Sequence, residues 1–152
     1  MAITGVKVKR LIRHPDDRGF FEEIVRCDEG ILPRFGQASM AKTYPGVIKA
    51  FHYHEHQDDA WFFAAGNAQV VLHDLRPESP SCGETEVYYL GEDNPVVLYI
   101  PAGVAHGYRT LGNEPALIVY FTTEPYRPDH PDEKRLPYDD PRIGFDWTTR
   151  MR

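Results

Sequence analysis

Short runs rich in Val, Ile, Tyr and Phe recur along this chain, and Pro or Gly interrupts nearly every one before it reaches helical length. Ala68-Gln69-Val70-Val71-Leu72-His73 reads as a strand, as do Glu86-Val87-Tyr88-Tyr89-Leu90, Val96-Val97-Leu98-Tyr99-Ile100 and Ala116-Leu117-Ile118-Val119-Tyr120-Phe121. Turn chemistry separates them at Arg76 to Pro80, Gly91 to Pro95 and Leu111 to Pro115. No stretch sustains an apolar period of 3.6, and no repeat of 20–50 residues is present. Even spacing of short strands and turns predicts an all-β barrel or sandwich. At 152 residues, one domain spanning residues 1–152 is expected to bury a usable core.

The segment after Glu124 has a different texture. Pro125, Pro128, Pro131, Pro137 and Pro141 rule out regular structure over much of it, while Tyr126, Tyr138, Phe145 and Trp147 are too aromatic for a free linker. An irregular Pro-rich tail laid over the barrel is expected. Its acidic stretch from Asp129 to Glu133 reads as a solvated loop.

A formal net charge of -6 offers no basic field for nucleic acid, so an anionic ligand would need a local basic pocket. Cys27 and Cys82, the only two cysteines, suggest neither a disulfide framework nor a thiolate metal site. Met1 to Arg10 has no long apolar run, so no signal peptide or membrane span is expected and the cytoplasm is the expected compartment.

The chemistry concentrates around Gly46-Val47-Ile48-Lys49-Ala50-Phe51-His52-Tyr53-His54 and its continuation through Asp59 to Gly66. On a regular strand His52 and His54 share one face. The spacing resembles the first cupin motif, with Asp59 where that motif usually carries Glu. Pro101-Ala102-Gly103-Val104-Ala105-His106 resembles the core of the second. The resemblance implies a cupin, or jelly-roll, β-barrel. His52, His54, Asp59 and His106 would supply three nitrogens and one oxygen to a divalent Fe, Mn, Ni or Zn ion. The same four also read as polar cavity residues that bind no ion.

A second set of motifs runs in order through nearly the whole chain. Asp16-Asp17-Arg18-Gly19-Phe20-Phe21-Glu22-Glu23 comes first, then Val47-Ile48-Lys49-Ala50-Phe51-His52-Tyr53, Asp74-Leu75-Arg76 and Ser79-Pro80-Ser81-Cys82-Gly83. Ile100-Pro101-Ala102-Gly103-Val104-Ala105-His106-Gly107 and Asp139-Asp140-Pro141-Arg142-Ile143-Gly144-Phe145-Asp146-Trp147 follow, and Tyr120 and Tyr126 lie six residues apart between them. The series resembles the dTDP-4-dehydrorhamnose 3,5-epimerases, as a divergent member. That resemblance implies an isomerase of a nucleotide-linked 4-keto-6-deoxy sugar, acting at C3, C5 or both without a cofactor. It implies His52 as base, Asp140 as the carboxylate orienting it and Tyr120 as acid. Tyr126 would position the sugar. Arg18, Phe21, Glu23 and Gln37 fall at nucleotide- or sugar-contacting positions, some serving a neighbouring subunit of a homodimer with an exchanged N-terminal strand.

Proton abstraction beside a ketone needs a base near working pH, an acid on the other face and a partner for the enolate oxygen. A His held by a carboxylate and a Tyr hydroxyl suit the first two roles. The third is where this chain departs from the family. Asp59 takes the position of its Lys, Phe62 that of a nearby Arg, Lys49 replaces another Arg, His54 a Gln, and Ser39 an Asn. Positive charge is thereby lost from the phosphate and ketone contacts, since Lys grips phosphate less well than Arg. The changes point to a different nucleotide, a different sugar or reaction at a single carbon, with His106 as a replacement donor to the oxyanion. Two other readings stay open: a metal-dependent cupin enzyme using His52, His54, Asp59 and His106, and a non-catalytic sugar-binding cupin.

Overall fold

A computed structural model describes residues 2–152. Twelve strands form two five-stranded antiparallel sheets and one hairpin. β1 (Lys7–Arg10), β4 (Gln37–Thr43), β6 (Asp59–Ala65), β9 (Val96–Ile100) and β11 (Ala116–Thr122) make the first sheet, in the order β1-β9-β6-β11-β4. β5 (Ile48–Tyr53), β7 (Asn67–Asp74), β8 (Thr85–Gly91), β10 (Val104–Leu111) and β12 (Lys134–Arg135) make the second, ordered β12-β5-β10-β7-β8. β2 (His14–Asp16) and β3 (Gly19–Phe21) pair only with each other. Non-sequential neighbours within each sheet are the mark of a jelly-roll barrel, as the motif spacing implied. The four strands read from sequence all form, and β9 has the predicted bounds.

Alternation along the strands divides the side chains between an inner and an outer layer. Trp61 and Phe63 of β6, Val70 and Leu72 of β7, Leu98 and Ile100 of β9 and Ile118 of β11 fill the barrel interior. The intervening residues are also covered. Ala60, Phe62, Val97 and Tyr99 pack outward beneath Ile31 and Leu32 of the β3–β4 connection. Phe51, Val71 and Ala105 pack outward beneath Trp147. The central strands are buried on both faces, so they read as nearly continuous apolar runs.

The C-terminal segment lies over the barrel, as its aromatics suggested. Trp147 is 6% exposed, packs tilted against Phe51 with ring centroids 5.6 Å apart and donates its indole N–H to the Tyr138 carbonyl at 3.0 Å. The acidic stretch before it is not simply solvated. The Asp132 carboxylate accepts the backbone N–H groups of Glu55, His56 and Gln57 at 2.8–3.0 Å. β12 then pairs with β5 in the register Arg135↔His52 and Lys134↔Tyr53. These contacts close one wall of the barrel mouth.

Candidate active site

The barrel opens into a cavity of about 600 Å³. His52 from β5, His106 and Tyr108 from β10, Asp59 and Trp61 from β6, and Ile118 and Tyr120 from β11 line it, with the tail supplying Glu124 to Arg127, His130, Asp132 and Glu133. Alternation explains the selection: Phe51 and Ala105, between the inward residues, face the outer layer. The β5–β10 ladder sets His52 directly opposite His106.

His52 Nδ1 lies 3.0 Å from Glu133 Oε1. A carboxylate oxygen only accepts, so in the neutral imidazole this contact puts the proton on Nδ1 and leaves the lone pair on Nε2. This differs from the expected His52–Asp140 partnership. Asp140 is bonded instead to the Arg142 guanidinium, at 3.0 and 2.7 Å, and its own backbone carbonyl caps the turn at Ile143 and Gly144. Asp140 does not line the cavity. Hydrogen bonds from the Arg142 side chain and backbone hold its carboxyl down at about 2. The reason is local: a single residue, Pro141, separates Asp140 from its cation, whereas β12 pairing delivers Glu133 to His52.

His54 and His106 meet Asp59 across the two sheets. His54 Nε2 lies 3.6 Å from Asp59 Oδ1 and His106 Nε2 3.9 Å from Asp59 Oδ2. All three side chains are nearly inaccessible, at 8, 4 and 3% for His54, Asp59 and His106. Burial drives the His106 pKa down to about 4 despite the Asp59 charge. Burial acts the same way on His54, but the Asp59 hydrogen bond and charge outweigh it and raise the value. His52 stands apart from this group of three, so the expected four-ligand set is not assembled.

Gln37, Lys49, His106 and Tyr126 line the cavity, and the Tyr126 N–H donates to Gln37 Oε1 at 2.8 Å. Arg18, Phe21 and Glu23 do not line it. Arg18 is paired with Asp16, Glu23 with Arg26, and Phe21 stacks on His14 in the exposed β2–β3 hairpin. Sequence reasoning missed Glu133, Arg127, His56 and His130 as cavity residues. Only the bias of the tail toward charged and aromatic residues signalled that it does more than cover the barrel.

An antiparallel barrel that gathers imidazoles, tyrosines and carboxylates on the wall of one open cavity is built as a cupin-type enzyme of the carbohydrate isomerase class. A model of the family described as dTDP-4-dehydrorhamnose 3,5-epimerase matches residues 1–152, and the chain belongs to that family. It is 67% identical over 150 residues to the spore coat polysaccharide biosynthesis protein SpsL of Bacillus subtilis, covering 99% of each chain. It is 39% identical over 153 residues to the probable low-salt glycan biosynthesis epimerase Agl13 of Haloferax volcanii, covering 98% of this chain and 97% of that one. Among solved structures, the dTDP sugar isomerase of Desulfovibrio desulfuricans superposes with a TM-score of 0.89 at 30% identity, over 95% of this chain and 92% of the other. The dTDP-6-deoxy-D-glucose-3,5-epimerase of Legionella pneumophila, solved with dTDP-4-keto-L-rhamnose, superposes with a TM-score of 0.86 at 29% identity, over 97% and 80%.

Proposed function

We propose that this protein epimerises a nucleotide-linked 4-keto-6-deoxy sugar, by removing and returning the proton on C3, C5 or both. The observation that carries the reading is the His52–Glu133 contact in the wall of the cavity. It leaves one imidazole lone pair for the substrate and keeps a carboxylate ready to stabilise the imidazolium that forms. Tyr120, on the facing sheet, returns a proton from the other side. The C–H pair goes to the carbonyl oxygen as the base takes the proton, and flows back to carbon as Tyr120 gives its own. Both proton transfers are made by protein groups, so neither requires a cofactor.

Lys49 and Arg127 are the cations of the cavity wall and suit the two phosphates of the nucleotide; Tyr126 and Gln37 suit the sugar. Arg18, Phe21 and Glu23 would complete the site of a second copy in a homodimer. The exposed Ile12, Phe20, Phe21, Phe35, Met40 and Tyr44 support such a contact. β1 pairs with β9 of its own chain, so the β2–β3 hairpin is the part of the N-terminal region offered outward. Two free cysteines fit a cytoplasmic site of action. Among the described residues no helix is long and apolar enough to cross a membrane.

Incubation in D₂O with a panel of nucleotide-linked 4-keto-6-deoxy sugars, followed by NMR, tests the reading. Enzyme-dependent deuterium at C3 or C5, abolished in His52→Asn, is the expected result. Binding without exchange in the parent protein would overturn it and leave a sugar-binding barrel.

A further inference from the structure

We propose that Asp132 is a positioning residue for the base: it anchors the tail so that the next residue, Glu133, meets His52. The role deepens the proposed function, and its effect on turnover rests on that reading. The Asp132 carboxylate spans three consecutive backbone N–H groups of the β5–β6 connection. Oδ1 accepts from Glu55 at 2.8 Å, and Oδ2 accepts from His56 at 2.9 Å and Gln57 at 3.0 Å. Successive amides turned toward one anion make a concave seat for it, and hydrogen bonds to an ionised acceptor are the stronger kind. Burial opposes ionisation of this carboxyl, but the three amides outweigh burial and lower its pKa.

One dipeptide of the tail thereby holds both imidazoles of the His52-Tyr53-His54 run. The Asp132 carbonyl accepts from His54 Nδ1, and Glu133 Oε1 accepts from His52 Nδ1 at 3.0 Å. The other holds on Glu133 are slight. Its side chain is 40% exposed, and its second oxygen meets Arg135 Nη2 only at 3.4 Å. β12 pairs with β5 over two residues, and so short a ladder is marginal in water on its own. The neighbouring Lys134–Glu55 ion pair, at 3.6 Å, is half exposed and of a kind that contributes little. Pro125, Pro128 and Pro131 lack the N–H that would tie the preceding segment to a strand.

The anchor matters to the chemistry through the tautomer of His52. The Glu133 contact selects the Nδ1-protonated form of the neutral ring. A ring released from Glu133 is free to carry its proton on Nε2, the nitrogen that abstraction needs bare. Asp132 borders the cavity, but both its carboxylate oxygens are turned to the amides of residues 55–57, so it acts through Glu133 rather than on substrate.

Steady-state kinetics and imidazole ¹⁵N NMR on the full-length protein test the role. Asp132→Ala, folded by circular dichroism, is expected to lower kcat about tenfold with KM near the parental value, as Glu133→Gln does. In a Glu133→Gln background the same change should cost less than about twofold, because both act through one contact. Losses that multiply, or a raised KM at unchanged kcat, would overturn the role. The ¹⁵N signals of His52, assigned by their absence in His52→Asn, are read without substrate at about pH 8, above the ordinary imidazole pKa. The parent should show a protonated Nδ1 and a bare Nε2, and Asp132→Ala a shift of the proton toward Nε2. A parental tautomer in Asp132→Ala overturns the proposal whatever the sugar. If Asp132→Ala does not fold, Asp132→Asn, which keeps one accepting oxygen, takes its place; if neither folds, Asp132 serves stability alone and the proposal fails. A parent inert on every sugar, with the tautomer shift as expected, would instead overturn the epimerase and leave the placing of Glu133 by Asp132 standing.

Discussion

His52 Nδ1 and Glu133 Oε1 lie 3.0 Å apart although 81 residues separate them in sequence. The contact selects the Nδ1-protonated tautomer of the neutral imidazole, in the wall of the cavity. Glu133→Gln keeps the shape but replaces the anion with an amide that also presents donors. Its kcat is expected to fall by about tenfold or more, with KM near the parental value, because Glu133 acts through His52. His52→Asn should lose more, roughly 10²–10⁴-fold. Equal losses in KM and kcat for Glu133→Gln would point instead to a direct role in binding.

Tyr120 and His52 project from facing sheets into one cavity, so removing the acid should leave abstraction in place. Tyr120→Phe is expected to retain exchange of the substrate α-proton with D₂O while net epimerisation falls roughly 10²-fold or more. Parallel loss of exchange and epimerisation would remove Tyr120 from the role of acid.

Asp140 pairs with Arg142 in the tail and not with His52. Its bonds to Arg142 hold the turn that leads to Trp147. Asp140→Asn is expected to lower Tm and to reduce turnover less than Glu133→Gln does. A drop in turnover as large as that of Glu133→Gln, at unchanged Tm, would restore Asp140 to the catalytic machinery.

Acid stability should depend on Asp74. Burial opposes ionisation of its carboxyl, but hydrogen bonds from Arg76, Ser79 and Ser81 outweigh burial and hold its pKa well below the usual carboxylate range. A depressed folded value gives stability that is present above the unfolded value near 3.9 and lost as pH falls through the folded one. Asp74→Asn should therefore cost roughly 1–3 kcal/mol at neutral pH, and the gap to the parent should narrow steadily below about pH 4. Denaturant titrations at neutral and acid pH would show it; a gap that stays constant would mean that Asp74 does not ionise differently on folding.

The barrel was legible because its signals are local. Val96 to Ile100 lies between Pro95 and Pro101, and the strand has the bounds that these prolines predict. His52, His54 and His106 were recognisable through i, i+2 spacing and a Pro-x-Gly turn, both of which act over a few residues. Glu133 had no such signal: it is an exposed acid in a Pro-rich stretch, and nothing near it in sequence marks its partner. The motif spacing drew attention to Asp140 instead, whose nearest cation, Arg142, takes both carboxylate oxygens.

By itself, the amino-acid sequence determined the antiparallel barrel, the family, and the residue types that the cavity would hold. Strand periodicity and turn chemistry depend on near neighbours, so they survive without knowledge of the fold. Which carboxylate serves His52, and which histidines converge on Asp59, was decided only in three dimensions. The β12–β5 register brings Glu133 to one imidazole, and closure of two sheets brings Asp59 to two others. Hydrogen bonds and ion pairs act over a few ångströms of space, and for these residues only tertiary packing supplies that proximity.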